Sequence, residues 1–156
     1  MRNTKKSLLW ITGILKELNI PFQIAGGLAA KAYGSTRKLA DIDIDIPENC
    51  FELLKNHVNK YIIFGPDNFK DENWDLLLMS LNHYGQEIDL SGAYQTKIRH
   101  PLNSKWHPII TDFSKSITLD ILGLKLPVIP KNDLLHYKKI LSRPVDIADI
   151  NELSSM

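Results

Sequence analysis

The sequence contains few of the features that mark disulfide-bonded, membrane-spanning or strongly charged proteins. One cysteine, Cys50, occurs among the 156 residues, so an internal disulfide is excluded and a reducing, cytoplasmic location is expected. The formal net charge is +1, which provides no general attraction to nucleic acid or to an anionic membrane. No apolar run reaches the roughly 20 residues needed to cross a bilayer. We therefore expect a cytoplasmic protein that binds neither nucleic acid nor membrane.

Histidine-based chemistry is not indicated either. The histidines show neither the spacing of a zinc site nor a pairing with a nucleophile; they lie at positions 57, 83, 100, 107 and 136. The composition that remains, 44% hydrophobic and 24% charged residues, is that of an ordinary globular protein. At this length we expect one domain, residues 1–156, with a single core.

Periodicity and turn residues predict an α/β alternation that becomes rich in strands in the second half of the chain. Helices are predicted at 4–18, 27–33, 48–60, 131–141 and 144–153. Strands are predicted at 22–25, 41–46, 61–64, 74–81, 86–90, 117–121 and 124–129. The residues from Asn82 to Gly85 are typical of a hairpin and Gly65-Pro66-Asp67 of a turn. Residues 91–115 are predicted to be irregular.

The most informative strand alternates aspartate with isoleucine, with acids at Asp41, Asp43 and Asp45. Period-two alternation places the three carboxylates on one face, roughly 7 Å apart along the strand. Aspartate is a poor strand former and like charges repel, so a cation between the acids would stabilise this arrangement. A solvated strand face is the alternative interpretation. A calcium-binding EF-hand is excluded, because Ile46 occupies the position where that loop needs glycine.

A diglycine, Gly26-Gly27, precedes the acidic strand and lies between an apolar strand and an alanine-rich helix. Glycine lets a phosphate group approach the backbone closely, and the following helix N-terminus favours negative charge. Mg²⁺ in turn prefers one or two carboxylates together with substrate phosphates. A phosphate-binding turn close to a pair of acids therefore indicates nucleotide chemistry.

These motifs resemble the signature of the nucleotidyltransferase superfamily, which is built on the minimal DNA polymerase β-like core. Ala25–Gly27 and Asp41–Asp43 match its first two parts, and Ile88–Leu90 is the best match to the third, a carboxylate on a later strand. The C-terminal run Leu134–Lys139, which includes Lys138, and the following Arg143–Ile150 resemble small bacterial members, among them the short lincosamide nucleotidyltransferases. This chain departs from them in having valine at position 145, where lysine is usual.

The resemblance implies an α+β (α/β) nucleotidyltransferase fold, in which helices flank a mixed, twisted β-sheet. It also implies that Asp41, Asp43 and Asp89 are catalytic and hold two Mg²⁺ ions for an in-line displacement. Asp89 could instead orient or deprotonate the acceptor hydroxyl. Glu87, on the same strand face, is the main rival for the third acid, and Asp120 is a weaker one. Asp45 is predicted to lie at the rim of the site.

Five residues are predicted to bind the nucleotide: Gly26, Gly27, Ser35, Arg37 and Lys138. Arg37 can pair with a phosphate, although it could equally neutralise the acidic strand. Ser35 could contact phosphate or only shape its turn, and Lys138 could reach the triphosphate or lie in solvent. Basic and aromatic residues at 94–107 could contact a base or an acceptor, or that segment could simply cover the sheet.

The resemblance implies transfer of a nucleoside monophosphate from an NTP, with ATP as the default donor, to a hydroxyl of a small molecule, with release of pyrophosphate. Antibiotic resistance is one possible role. The short chain leaves little room for an acceptor domain, so the acceptor site could be shared across a homodimer. One alternative is a toxin–antitoxin type adenylyltransferase that modifies a protein, although such enzymes usually have Gly-Ser at the diglycine. The other is a nucleotide-binding module without turnover.

Overall fold

A computed structural model describes residues 2–155 of the chain. The five α-helices of this range are α1 Thr4–Glu17, α2 Gly26–Ala32, α3 Phe51–Val58, α4 Lys131–Leu141 and α5 Pro144–Ser154. The strands are β1 Gln23–Ala25, β2 Ile42–Ile46, β3 Ile62–Lys70, β4 Trp74–His83, β5 Gln86–Gly92, β6 Thr96–Ile98, β7 His107–Ile109, β8 Ile117–Ile121 and β9 Leu124–Val128. None of the described helices is long and apolar enough to cross a membrane.

All nine strands belong to one mixed sheet with the order β7-β6-β4-β5-β2-β1-β9-β8, and β3 pairs with β4 outside this path. The pairs β2–β5 and β1–β9 are parallel, and the other pairs are antiparallel. The acidic strand β2 is central, between β1 and β5. The sheet therefore brings the diglycine at the end of β1 and the acids of β5 to either side of β2. This architecture confirms the predicted α+β fold.

The alternation in β2 divides its side chains between the core and a cleft. Ile42, Ile44 and Ile46 are completely buried and belong to the same apolar cluster as Leu8 of α1 and Leu54 of α3. Burial of such a side chain contributes roughly 1.5–3 kcal/mol, which offsets the poor strand propensity of the intervening aspartates. Core packing thus fixes which face the acids occupy.

Most predicted elements are found, including the hairpin between β4 and β5, where Tyr84 and Gly85 have positive φ. The predicted turn at Gly65-Pro66-Asp67 is wrong: β3 continues through it to Lys70, with register shifts that absorb the glycine and the proline. The predicted helix 48–60 is an α-helix only over Phe51–Val58, with a 3-10 turn on each side. The segment 91–115, predicted to be irregular, contains β6 and β7.

Candidate functional site

A cleft of about 810 Å³ lies over the centre of the sheet. Acids of β2 and β5 form its floor, the diglycine and Arg37 line one side, and α4 with the start of α5 lines another. Apolar residues of β4, β6 and β7 complete the wall, among them Trp74, Leu76 and Ile98. Of the eight site residues predicted from the sequence, seven line this cleft: Gly26, Gly27, Arg37, Asp41, Asp43, Asp89 and Lys138.

The acids meet because β2 and β5 are parallel and in register. Asp43 lies opposite Asp89, and Asp41 and Glu87 lie two residues before them on the same faces. Asp41, Glu87 and Asp89 each offer a carboxylate oxygen, and these oxygens lie within 4.8 Å of one another. Ser80 of β4 donates a 2.6 Å hydrogen bond to Asp89 Oδ1 and fixes that side chain. The donor set consists of oxygen atoms only, as Mg²⁺ prefers.

Burial raises the pKa values of the clustered acids, and repulsion between carboxylates adds to the shift at Asp43, Glu87 and Asp89. Burial, followed by the nearby carboxylates of Asp89 and Asp41, raises the pKa of Asp43 from 3.8 to about 7. Burial also raises the pKa of Asp41, Glu87 and Asp89, and the hydrogen bond from Ser80 partly opposes the effect on Asp89. Each shift means that the ionised form is disfavoured in the folded protein. A cation among these oxygens would reverse that penalty, so the cluster fits a divalent metal.

The two remaining candidate acids occupy different positions. Asp45 lines the cleft and accepts a 3.0 Å hydrogen bond from the Gln23 side chain. Burial raises its pKa to about 6, although the Gln23 bond opposes the shift. Asp120 lies in β8, the last strand of the sheet order, which β2, β1 and β9 separate from β5, and it accepts a hydrogen bond from Gly123 in the turn to β9. Asp120 thus has a local turn-stabilising contact, remote from the acid cluster in the sheet.

The diglycine is held against the acidic strand. Gly26 has φ of +60°, and a Cβ atom there would lie 2.8 Å from the Asp43 carboxyl carbon. Only glycine satisfies both the conformation and this close approach. The Gly26 N–H donates a 2.9 Å hydrogen bond to the Tyr137 hydroxyl. Tyr137 is a cleft residue of α4 to which the sequence assigned no role, because an aromatic side chain on an amphipathic helix is typical of the core.

Arg37 lies beside the diglycine and is paired with α5. Its Nε and Nη2 atoms donate to the two oxygens of Asp149, at 3.0 and 2.8 Å. A Cβ atom on Gly27 would lie 3.2 Å from Arg37 Nη2. Ser35 is buried behind the cleft wall, where its hydroxyl donates to Asp149 Oδ1 at 3.4 Å. Neither residue pairs with the acidic strand, so that alternative for Arg37 is not supported.

Lys138 is 2% exposed and its ammonium is bound by two carboxylates, Asp146 at 3.3 Å and Asp149 at 3.0 Å. The predicted alternative of a solvated lysine is therefore wrong. Arg143 pairs with Asp146 at 2.7 Å, in the turn where this chain has Val145. Direct contact between Lys138 and a phosphate stays a prediction. Asp146 and Asp149 belong to the C-terminal run that carries the family resemblance, but the sequence assigned neither of them a role, although they share a helical face with the buried Leu153.

The segment 94–107 contributes more than a cover for the sheet. Its strand β6 pairs with the start of β4 and with β7, and Ile98 together with residues 108–112 lines the cleft. Arg99 lies 4.5 Å from the centre of the Trp106 ring, so these two predicted contact residues stack on each other. The segment thus contributes Thr96 and Ile98 to the cleft wall, which residues 108–112 continue.

The fold is similar to solved structures of nucleotidyltransferases. A proposed nucleotidyltransferase from Thermotoga maritima superimposes with a TM-score of 0.70 at 15% sequence identity, over 99% of this chain and 96% of that one. Lincosamide antibiotic adenylyltransferase LnuA, bound to lincomycin, gives 0.65 at 18% identity over 99% of each chain. ANT(2")-Ia in complex with adenylyl-2"-tobramycin gives 0.63 at 17% identity, over 98% of this chain and 89% of that one.

No protein-family profile and no curated protein sequence matches the chain. The structural matches nevertheless cover almost the whole chain, so they concern the complete arrangement of sheet and helices rather than one motif. The chain has the nucleotidyltransferase fold, as its resemblance to that superfamily predicts.

Proposed function

We propose that this protein is a nucleotidyltransferase that moves a nucleoside monophosphate from an NTP to a hydroxyl group of a small molecule and releases pyrophosphate. The observation that carries the proposal is the meeting of Asp41, Glu87 and Asp89 within 4.8 Å at the floor of the cleft that the diglycine lines. Fold similarity alone would not support an activity, because one fold hosts many functions. Here the acids and the diglycine line one cleft.

Asp41, Asp43 and Asp89 are the proposed metal ligands, and Glu87 is close enough to join or replace Asp89. When bound, Mg²⁺ neutralises charge on the phosphates and on the oxygens of an in-line displacement. Burial raises the pKa of all four carboxylates, and repulsion from neighbouring acids adds to the shift of Asp43, Glu87 and Asp89, so a cation among them would be stabilised.

The chain's own groups hold the two reactants. Gly27 has no side chain and lets the Arg37 guanidinium lie against the backbone, where it would supply charged N–H donors to phosphate oxygens. Asp89, fixed by the bond from Ser80, is the group that we propose would orient the acceptor hydroxyl or take its proton where it does not bind metal. A group positioned in this way contributes about 10²–10⁴-fold to a rate.

The proposed acceptor is a small molecule with a hydroxyl group and an apolar portion. The cleft has the size of a small-molecule site, and Trp74, Leu76 and Ile98 line its wall next to the acids. Two structural relatives are bound to lincomycin or to an adenylylated tobramycin. ATP is the proposed donor, by analogy with these adenylyltransferases.

Transfer assays with α-labelled and γ-labelled NTPs test the proposal. Each NTP is incubated with Mg²⁺ and a panel of lincosamides, aminoglycosides, proteins and RNA. The proposal expects the α label on a small molecule together with stoichiometric pyrophosphate. Labelling of protein would instead support the toxin–antitoxin type of transferase. NTP binding without transfer to any member of the panel would support a module without turnover.

A further inference from the structure

A buried network of charges connects α5 to the nucleotide side of the cleft. Asp149 is fully buried and its carboxylate receives hydrogen bonds from Arg37, Lys138 and Ser35. A buried carboxylate is stable only when charged partners satisfy it. Accordingly, the bonds from Arg37 and Lys138 outweigh burial and hold the pKa of Asp149 below its ordinary value. The carboxylate is therefore ionised and holds its partners in fixed positions.

The pairing determines how Arg37 faces the cleft. Asp149 binds the Nε side of the guanidinium in a bidentate manner, and within residues 2–155 the guanidinium has no other acceptor. A guanidinium has five N–H donors, so three of them are not used. Arg37 is still 31% exposed and lines the cleft next to Gly27. Its unused donors are thus available at the place where phosphate oxygens would lie.

We propose that Asp149 is a positioning residue for the triphosphate: its buried carboxylate fixes the Arg37 guanidinium against Gly27, so that the unused donors face the phosphate chain. The inference rests on the proposed function and extends it to a helix without a predicted contact to substrate. A flexible arginine would lose conformational entropy on binding phosphate, whereas one already fixed by a carboxylate loses less. Asp149 therefore acts on nucleotide affinity and leaves acceptor affinity unchanged.

A second contact between α5 and the same loop provides a matched control. Glu152, one turn after Asp149, accepts hydrogen bonds from the backbone N–H and the hydroxyl of Thr36 at 2.7 and 2.6 Å. Glu152 therefore tethers the loop without touching the guanidinium. If α5 only anchors the loop, Glu152→Gln and Asp149→Asn have similar effects.

The experiment measures dissociation constants for Mg²⁺–tripolyphosphate and Mg²⁺–ATP by calorimetry, with unfolding temperature recorded for every variant. Tripolyphosphate is included because it reports phosphate binding without a base. We expect Asp149→Asn to weaken both ligands by about tenfold or more, the order expected when a charge-assisted contact is lost. Glu152→Gln changes either value by less than about twofold. The double variant Arg37→Gln, Asp149→Asn binds both ligands no more weakly than Arg37→Gln alone, because Asp149 acts only through the Arg37 guanidinium that the single variant already lacks.

Equal losses in Asp149→Asn and Glu152→Gln, or additive losses in the double variant, overturn the proposal. Should Asp149→Asn fail to fold, Arg37→Lys decides: it keeps the charge but loses the bidentate pair, so unchanged tripolyphosphate affinity contradicts the proposal. In transfer assays, Asp149→Asn raises the KM for the NTP and leaves the KM for the acceptor unchanged. A wild-type protein that binds no NTP refutes the proposed function itself, whereas normal variants of an active wild type refute only the role of Asp149.

Discussion

Replacing Asp43 with asparagine should stabilise the metal-free protein. Burial and the neighbouring carboxylates give Asp43 a pKa of about 7 in place of 3.8. At about 1.36 kcal/mol per pKa unit, keeping this acid ionised in the folded protein costs at most about 4 kcal/mol. Asparagine has nearly the same shape as aspartate, so it fits in the same way against Gly26, but it carries no charge. The variant therefore removes the cost but also removes a proposed metal ligand.

The effect should depend on pH in a defined direction. A group whose pKa is raised on folding contributes stability that is fully present below its unfolded pKa and is lost as pH rises through the folded value. For Asp43 this window extends from 3.8 to about 7. The Asp43 carboxyl then lowers the free energy of unfolding by roughly 1.5 kcal/mol near pH 5 and by about 4 kcal/mol near pH 8. The gain in the free energy of unfolding from Asp43→Asn should therefore be at least twice as large near pH 8 as near pH 5.

Urea and thermal unfolding in EDTA provide the assay. Near pH 8 the variant should unfold up to roughly 8–16 °C above the wild type, since a gain of about 4 kcal/mol at 2–4 °C per kcal/mol is expected at this chain length. Added Mg²⁺ should stabilise the wild type and leave the variant unchanged. Glu72→Gln, an exposed acid outside the cleft, is the control and should show neither effect. If Asp43→Asn is less stable than wild type without metal at both pH values, the acid is structural and the reasoning fails.

Three further variants probe other parts of the cleft. Gly27→Val should displace Arg37 and weaken triphosphate binding in a chain that circular dichroism shows to be folded; retained NTP affinity in that chain would refute the phosphate-binding turn. Lys138→Met removes one charged partner from each of Asp146 and Asp149 and should lower the free energy of unfolding in urea by about 3 kcal/mol. An unchanged urea midpoint would show that Arg37 and Arg143 alone satisfy the two buried carboxylates. Trp74→Ala should raise the KM for the acceptor but not for the NTP, and a rise in both would place the base against this wall.

The acidic floor of the site was predictable because local sequence determines it. Alternation of Asp43 with completely buried isoleucines fixes the strand and its faces, and the short turn at Tyr84-Gly85 fixes the partner strands. The position of Asp89 opposite Asp43 follows once β2 and β5 are paired. The sequence left Glu87 as a rival of Asp89, and the structure explains why: both present oxygens to Asp41.

Other features depend on tertiary contacts that no local pattern contains. The strands β6 and β7 have three residues each and form because β4 offers an edge beyond the end of β5. The continuation of β3 through Gly65 and Pro66 depends on register shifts against β4. Asp149 resembles a surface acid in sequence, and only its packing against Lys138 and Arg37 shows that it is buried.

The most direct test of the account compares the incorporation of α-labelled nucleotide into an acceptor by wild type, Asp89→Ala and Glu87→Ala, with NTP affinity measured alongside. We predict Mg²⁺-dependent incorporation by the wild type, a loss of about 10²-fold or more in Asp89→Ala with little change in NTP affinity, and a smaller loss in Glu87→Ala. If Glu87 is essential and Asp89 is dispensable, Glu87 rather than Asp89 is the third catalytic acid. Transfer of the γ label instead of the α label would contradict the proposed reaction. Wild-type activity in both Asp89→Ala and Glu87→Ala would contradict the proposed acid site.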